Sequence, residues 1–197
     1  PTAFARYVTC PMKFYFASIA KFKSTDELSE EVDNPMFGTI LHAAMQTLYS
    51  KIEGIANPAA ELQQMLKTKA VEEAVSKAIN DNYLNNPDAD EREYTGSLML
   101  VKKIIIRYIR NGIIPFDIRH NSFAVEGVEK DIEWPLPIDN ERNIIFGGLA
   151  DRIDSLDDGM LRVVDYKTGS PHQQMNGIIS LFEGEKRALY GNLLQTM

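Results

Sequence analysis

The sequence contains a single cysteine, Cys10, among its 197 residues. One thiol cannot form a disulfide within the chain, and it cannot by itself hold a zinc ion or an iron–sulfur cluster. The sequence also has no uninterrupted apolar run near the roughly 20 residues that a membrane-spanning helix needs. These absences exclude a disulfide framework and a membrane-spanning helix in this sequence, and they fit a reducing, cytoplasmic setting.

The chain also lacks internal repeats and a glycine-rich phosphate loop, which counts against a nucleotide-handling enzyme. Its formal net charge is −7. An extensive nucleic-acid-binding surface is usually basic, so this charge argues against one. An enzyme that gathers carboxylates around a metal ion remains compatible with the charge, because those carboxylates contribute to it.

Apolar residues recur at helical spacing in the first half of the chain. This periodicity predicts helices over residues 35–52 and 97–109. Residues 59–84 contain no Gly or Pro and are rich in strong helix formers, so we expect one continuous helix there. A polar loop over residues 85–92 separates it from the next helix.

The second half is rich in Val, Ile and aromatic residues. Strands are expected over residues 122–134, with a bulge near Gly127, and over residues 144–156 and 160–168. Residues 135–142 are predicted to be a turn, Asp157-Asp158-Gly159 a hairpin turn, and residues 183–194 a final helix.

The order of these elements predicts a mixed α/β (α+β) domain, in which helices flank an antiparallel meander. No internal boundary is visible, so residues 1–197 are expected to form a single domain. The first residue is Pro1 rather than Met, and we expect the chain to be a fragment of a longer protein.

Asp151, Asp165 and Lys167 are predicted to lie on one face of the sheet if the hairpin loop has three residues. Leu156 then faces Met160, and counting back along both strands places Asp151 opposite Asp165, with their Cβ atoms about 5 Å apart. Lys167 is two residues beyond Asp165 and shares its face of the sheet. A two-residue loop would shift the pairing by one residue and separate the acids.

Opposed carboxylates repel each other, so a sheet does not gain stability from this pair. A hard divalent cation between Asp151 and Asp165, with the carbonyl of Tyr166 as a further ligand, removes the repulsion. The alternative is a solvated strand face, which Asp-x-Lys alone often indicates. Val163 and Val164 favour the metal site, because they indicate a partly buried sheet in which unpaired charge is costly.

Five segments, in this order, resemble the motifs of the RecB-like branch of the PD-(D/E)XK nuclease superfamily, including AddB-like nuclease domains. They are YVTCPMKFYF at 7–16, FGTILH at 37–42, GLADRID at 148–154, DYKTG at 165–169 and RALY at 187–190. The resemblance implies a restriction-endonuclease-like core with a mixed central sheet. It also implies a metal-dependent deoxyribonuclease, exonuclease ahead of endonuclease, that uses Mg²⁺ or Mn²⁺.

The resemblance further implies partners and residue roles. DNA and a helicase domain or subunit are the expected partners, in recombination or double-strand-break repair. Asp151, Asp165 and the Tyr166 carbonyl would hold the metal, with His42 as a further ligand and Lys167 as the catalytic lysine. Without the resemblance, His42 is better explained as a structural histidine beside an apolar helix face.

Other residues have weaker links to the family motifs. Glu126 and Tyr190 are possible supporting residues, on the first strand and the last helix respectively. Lys186 stands where the last helix usually has Gln, and the further cysteines that hold an iron–sulfur cluster in some members are absent, so no cluster is expected. The alternative function is a catalytically silent nuclease-fold module for DNA binding or complex assembly.

Overall fold

The computed structural model describes residues 2–22, 34–119, 123–139 and 142–169. Short 3₁₀ and π turns extend several of the helices within these ranges. The main elements are α1 (Thr2–Thr9), α2 (Pro11–Phe14), α3 (Asn34–Tyr49), α4 (Ala59–Lys67), α5 (Ala70–Ile79), α6 (Gly96–Tyr108), α7 (Ile114–Arg119), β1 (Phe123–Pro137), β2 (Asn143–Leu156) and β3 (Leu161–Val164).

The chain divides into two compact units. The larger unit comprises Ser29–Ile132 and Leu149–Thr168, and it contains α3 to α7. The smaller unit comprises Pro1–Leu28, Glu133–Gly148 and Gly169–Met197. The residues that form the candidate site described below all lie in the larger unit.

The core of the larger unit is built around α3. Ile40, Ala44 and Leu48 recur every four residues on this helix, and all three are fully buried. Helix α5 packs against this face, with Val71 and Val75 buried in the same apolar cluster. The helix predicted over residues 35–52 corresponds to α3 and the 3₁₀ turn that follows it.

The predicted continuous helix over residues 59–84 is wrong, because the chain breaks between α4 and α5. Thr68 is extended at the break, with φ −105° and ψ −177°, and its hydroxyl accepts a hydrogen bond from the Ala70 N–H at 3.4 Å. The guanidinium of Arg110 donates to the carbonyls of Thr68 and Leu66 and pairs with Glu72 at 2.7 Å. A distant arginine thus satisfies carbonyl groups at the break.

The smaller unit carries the N-terminal helices and the tips of β1 and β2. Pro11 occupies the first turn of α2, a position that suits its fixed φ, and Tyr7 packs edge-on against Phe14 with ring centroids 5.5 Å apart. Strand β1 continues through Pro135 to Pro137, so the predicted turn begins later than expected.

The described sheet has the order β1-β2-β3. Strands β2 and β3 are antiparallel, with Arg152 opposite Val164 and Ser155 opposite Leu161, which is the predicted register. At the hairpin, the Leu156 N–H donates to the Met160 carbonyl at 2.9 Å. Gly159 has a φ of +79°, a conformation that glycine adopts without strain.

Strand β3 ends at Val164 rather than continuing to residue 168 as predicted. The predicted fold class is nevertheless confirmed, since helices accompany an antiparallel meander in one mixed α+β arrangement. No helix among the described residues is long and apolar enough to cross a membrane. The predicted final helix, with Lys186 and Tyr190, lies outside the described residues.

Candidate metal centre

His42 projects from α3 towards the chain that follows β3. Its Nε2 lies 2.6 Å from the backbone carbonyl oxygen of Tyr166, and its Nδ1 lies 3.4 Å from Asp151 Oδ1. Gly38, one turn earlier, faces the same segment, and a Cβ there would lie 3.3 Å from Thr168 Oγ1, which is a tight contact. The structure therefore brings together His42, Asp151 and the Tyr166 carbonyl, three of the predicted metal ligands.

Asp151 is buried on β2, and its carboxylate holds the segment after β3. Its Oδ2 accepts a hydrogen bond from the Tyr166 N–H at 2.6 Å. Burial raises the pKa of Asp151, but the hydrogen bonds from His42 and the Tyr166 N–H outweigh burial and keep this pKa below its ordinary value. Asp151 is therefore an ionised carboxylate at neutral pH.

The contact that lowers the pKa of Asp151 raises the pKa of His42. Its hydrogen bond to Asp151 raises its pKa most strongly, burial lowers it, and the Tyr166 carbonyl raises it further, so the net pKa lies above 6.5. Both ring nitrogens face oxygen acceptors, and only the protonated imidazolium can donate to both. A cation that binds a ring nitrogen of protonated His42 displaces the proton from that nitrogen.

Glu129 completes the cluster, although it was not among the site residues predicted from the sequence. Single ligand atoms from His42, Glu129 and Asp151 all lie within 4.8 Å of one another. Glu129 has a left-handed backbone with a φ of 49°, which is strained for a residue with a side chain. Burial, followed by the charge of Asp151, raises the pKa of Glu129.

The strand pattern contained a signal for Glu129. Phe123, Val125 and Gly127 are buried at alternate positions of β1, and the next residue of that parity is Glu129. Glu126 has the opposite parity and is exposed, and its carboxylate accepts a hydrogen bond from the Ser155 hydroxyl at 2.5 Å. The structure thus places Glu129, rather than Glu126, in the cluster with His42 and Asp151.

The donor set of this cluster fits a hard divalent cation. Two carboxylates and an imidazole nitrogen converge, and burial, together with the charge of Asp151, raises the pKa of Glu129. A divalent cation neutralises the charge of the two carboxylates, and carboxylate and carbonyl oxygens are ligands that Mg²⁺ and Mn²⁺ prefer. The arrangement can therefore hold such an ion next to the Tyr166 carbonyl.

Asp165 and Lys167 flank Tyr166 beyond the end of β3. The Lys167 ammonium donates to Asp165 Oδ1 at 2.9 Å, and both side chains are about half exposed. Asp165 does not belong to the group of closely spaced ligand atoms formed by His42, Glu129 and Asp151. The reason lies in the backbone, because the Tyr166 N–H bonds to Asp151 and the ladder stops before Asp165.

A buried network of charged groups lies under the same segment. Arg152 is 1% exposed, and its guanidinium binds both carboxylate oxygens of Asp117, at 2.8 and 3.1 Å. Its Nε donates to Asp154 at 3.2 Å, and its Nη1 donates to the Tyr166 hydroxyl at 2.9 Å. The ring of Tyr49 lies against the guanidinium, with its centroid 4.3 Å from Cζ.

Tyr166 therefore links the two groups of residues. Its hydroxyl is anchored to Arg152, whereas its backbone N–H and carbonyl contact Asp151 and His42. The sequence predicted the role of the carbonyl but no role for Arg152. An arginine two residues before Asp154, on the part of β2 that is buried, is the signal that could have indicated an internal ion pair.

Sequence comparison relates the chain to a nuclease superfamily. The profile of the PD-(D/E)XK nuclease superfamily matches residues 1–197. An ATP-dependent helicase/deoxyribonuclease subunit of Acetivibrio thermocellus is 27% identical over 186 residues, which cover 88% of this chain. The chain spans 16% of the length of that relative. No solved structure matched the chain.

Proposed function

The chain belongs to the PD-(D/E)XK nuclease superfamily, and on that premise we propose that it hydrolyses DNA phosphodiester bonds with the aid of Mg²⁺ or Mn²⁺. The observation that carries this proposal is the convergence of His42, Glu129 and Asp151 within 4.8 Å. Lys167 follows directly on Tyr166, whose carbonyl is 2.6 Å from His42. A cation site and a hydrogen-bond-donating lysine thus lie on adjoining residues.

The proposed ligands are His42, Glu129, Asp151 and the Tyr166 carbonyl. Asp165 is the further ligand that the sequence predicts, and in this proposal its carboxylate turns from Lys167 towards the cluster. When bound, the cation supplies charge neutralisation at the phosphate and lowers the pKa of a water molecule.

Lys167 is the proposed catalytic lysine. Its ammonium is about half exposed and is held by Asp165 at 2.9 Å, so it can meet solvent and substrate. In hydrolysis, water attacks phosphorus, a P–O bond breaks, and negative charge builds on the phosphate oxygens. A lysine that donates hydrogen bonds to those oxygens stabilises this charge in the transition state.

Asp151 has a second role in the proposal, because it fixes the backbone of Tyr166. Its hydrogen bond to the Tyr166 N–H, at 2.6 Å, replaces the next rung of the sheet. The same contact sets the position of the Tyr166 carbonyl, and therefore of Lys167, relative to His42. Asp151 thus both contributes a charge and orients the segment that contains the lysine.

The biological context in the proposal comes from the family and the relative. That relative is named as a helicase/deoxyribonuclease subunit, and we propose a helicase domain or subunit as the partner, in recombination or double-strand-break repair. A helicase separates strands and so presents DNA ends to a coupled nuclease. We therefore propose exonuclease action by a RecB-like or AddB-like nuclease domain.

The test is a cleavage assay with the full-length protein that contains this chain. The substrates are end-labelled linear single- and double-stranded DNA and a closed circular DNA, each with Mg²⁺, Mn²⁺ or excess chelator. Lys167→Ala is compared with Lys103→Ala, which removes an exposed lysine from α6. We expect metal-dependent cutting of linear DNA that Lys167→Ala reduces by about a hundredfold and Lys103→Ala leaves unchanged.

Two outcomes would contradict the proposal. Equal cutting by wild type and Lys167→Ala would show that Lys167, and with it the proposed centre, takes no part in hydrolysis. A folded wild-type protein that binds DNA but cuts none of the substrates with either metal would instead support the silent assembly module. Cutting of the closed circle would replace exonuclease by endonuclease action.

A further inference from the structure

An open groove of about 580 Å³ adjoins the candidate metal centre within the larger unit. Its volume lies within the range of roughly 300–1,000 Å³ that is usual for small-molecule sites. Asp165, Tyr166 and Lys167 line one side of it. The groove and the metal centre therefore share a single stretch of backbone.

Aromatic side chains also line the groove. Tyr108, at the end of α6, and Phe116, on α7, both line it, and their side chains are 55% and 50% exposed. Phe37 packs edge-on against the Tyr108 ring with centroids 6.2 Å apart, which helps to fix that ring. Buried Leu41 adds apolar surface between them.

Large aromatic rings that remain half exposed inside a concave site indicate an occupant with a flat apolar face. Lys167, about half exposed and paired with Asp165 at 2.9 Å, lines the same groove, and its ammonium can meet a negatively charged occupant. Arg162 also lines the groove, where its partly exposed guanidinium pairs with Asp117 and Asp154. A nucleotide unit of a DNA strand combines these two properties, with its base towards the rings and its phosphate towards the lysine.

Only an unpaired base can use this groove. In a duplex, both faces of a base are covered by its neighbours, whereas a base in a single strand can stack on an aromatic side chain. Stacking of this kind is tolerant of sequence, because every base has a π-face. The groove thus favours single-stranded DNA without selecting a sequence.

We propose that this groove holds one unpaired nucleobase, stacked on Tyr108 and Phe116, next to the phosphodiester bond positioned at Lys167. The inference rests on the proposed nuclease function, and it names Tyr108 and Phe116 as the residues that receive the base. It also gives α6 and α7 a role in substrate binding in addition to their packing in the core.

The test measures binding in excess chelator, so it does not depend on cutting. Fluorescence anisotropy with a labelled single-stranded oligodeoxynucleotide gives the Kd of the full-length protein and its variants. We expect Tyr108→Ala and Phe116→Ala each to weaken binding by about tenfold, and Tyr108→Phe, which keeps the ring, to bind like wild type. Leu100→Ala is the matched control, because Leu100 is 59% exposed on α6 and does not line the groove.

A second set of oligonucleotides carries a single abasic site at successive positions. If one base occupies the groove, one abasic position weakens binding to wild type, and the same position has no further effect on Tyr108→Ala. Unchanged Kd values for both alanine variants, or equal sensitivity at every abasic position, would overturn the inference. Thermal melting of each variant verifies that it is folded.

Failure of the inference and failure of the proposed function give different results. If Lys167→Ala abolishes cutting while the aromatic variants bind and cut like wild type, the nuclease stands and the stacked base is wrong. If binding depends on Tyr108 and Phe116 but no DNA is cut with either metal, the hydrolytic function is wrong and the groove binds DNA without cleavage. A groove that is filled by a partner protein would leave DNA binding insensitive to both aromatic residues.

Discussion

Glu126 and Glu129, three residues apart on β1, lie on opposite faces of the strand. Glu126 is exposed and bonds to Ser155 at 2.5 Å, whereas Glu129 contributes a carboxylate oxygen to the cluster with His42 and Asp151. The left-handed backbone at Glu129, with a φ of 49°, interrupts the regular strand at this position. Two chemically identical side chains therefore make a matched pair for testing the cation site.

We expect Glu129→Gln to weaken Mn²⁺ binding by at least about tenfold, because it removes one of the two negative charges of the cluster. Glu126→Gln should leave the affinity unchanged. Isothermal titration calorimetry of the full-length protein measures both. Equal effects of the two substitutions would indicate a general loss of negative charge rather than a site at Glu129.

We expect the imidazole pKa of His42 to lie above 6.5 in the metal-free protein, because its protonated form donates to Asp151 and to the Tyr166 carbonyl. Asp151→Asn removes the contact that raises this pKa most, so the pKa should fall. NMR titration of the imidazole protons measures both values, and the chain has only three histidines to assign. Asp165→Asn is the control, since the carboxylate of Asp165 pairs with Lys167 instead, and an equal fall in that variant would contradict the assignment.

We expect Arg152→Met to lower the free energy of unfolding by about 3–5 kcal/mol, because it leaves two buried carboxylates, Asp117 and Asp154, with the partly exposed Arg162 as their remaining cationic partner. Arg92→Met makes the same chemical change at an exposed pair, where Arg92 lies 3.6 Å from Asp90. Its cost should be below about 1 kcal/mol. Urea denaturation measures both, and similar costs would show that the buried network contributes no more than a surface pair.

We expect Arg110→Met to loosen the break between α4 and α5, because the carbonyls of Leu66 and Thr68 lose their donor. An unsatisfied, partly buried polar group costs about 1–3 kcal/mol. Hydrogen exchange should therefore become faster in residues 66–72 and remain unchanged in α3. Arg107→Met, at an exposed position of α6, is the control, and it should leave exchange in this segment as in wild type.

Local sequence signals predicted the sheet and part of the site. The Asp157-Asp158-Gly159 turn set the length of the hairpin loop, and the loop set the register that places Arg152 opposite Val164. The resemblance placed His42, Asp151 and the Tyr166 carbonyl together, and the structure has the same three groups in contact. These features follow from short stretches of chain whose preferences agree with the fold.

The features that the sequence did not predict depend on distant contacts. Helix-forming residues surround Thr68, and the break there is satisfied by Arg110, 42 residues away. Strand β3 was predicted to continue through Asp165, but the side chain of Asp151 takes the Tyr166 N–H and ends the ladder. The alternation of β1 indicates the face on which Glu129 lies, but strand propensity does not predict its left-handed backbone, which few residues with side chains adopt.

The attachment of the Tyr166 hydroxyl to Arg152 has a consequence for genetics. If the proposed function holds, a selection for variants that have lost activity will recover substitutions in the interior, at Arg152 or Asp117, alongside those at the proposed ligands. Both groups will look alike in such a selection, because displacement of the Tyr166 ring also moves its carbonyl and N–H. The segment Asp151-Arg152-Ile153-Asp154 is therefore constrained both by the folding of the chain and by the proposed metal site.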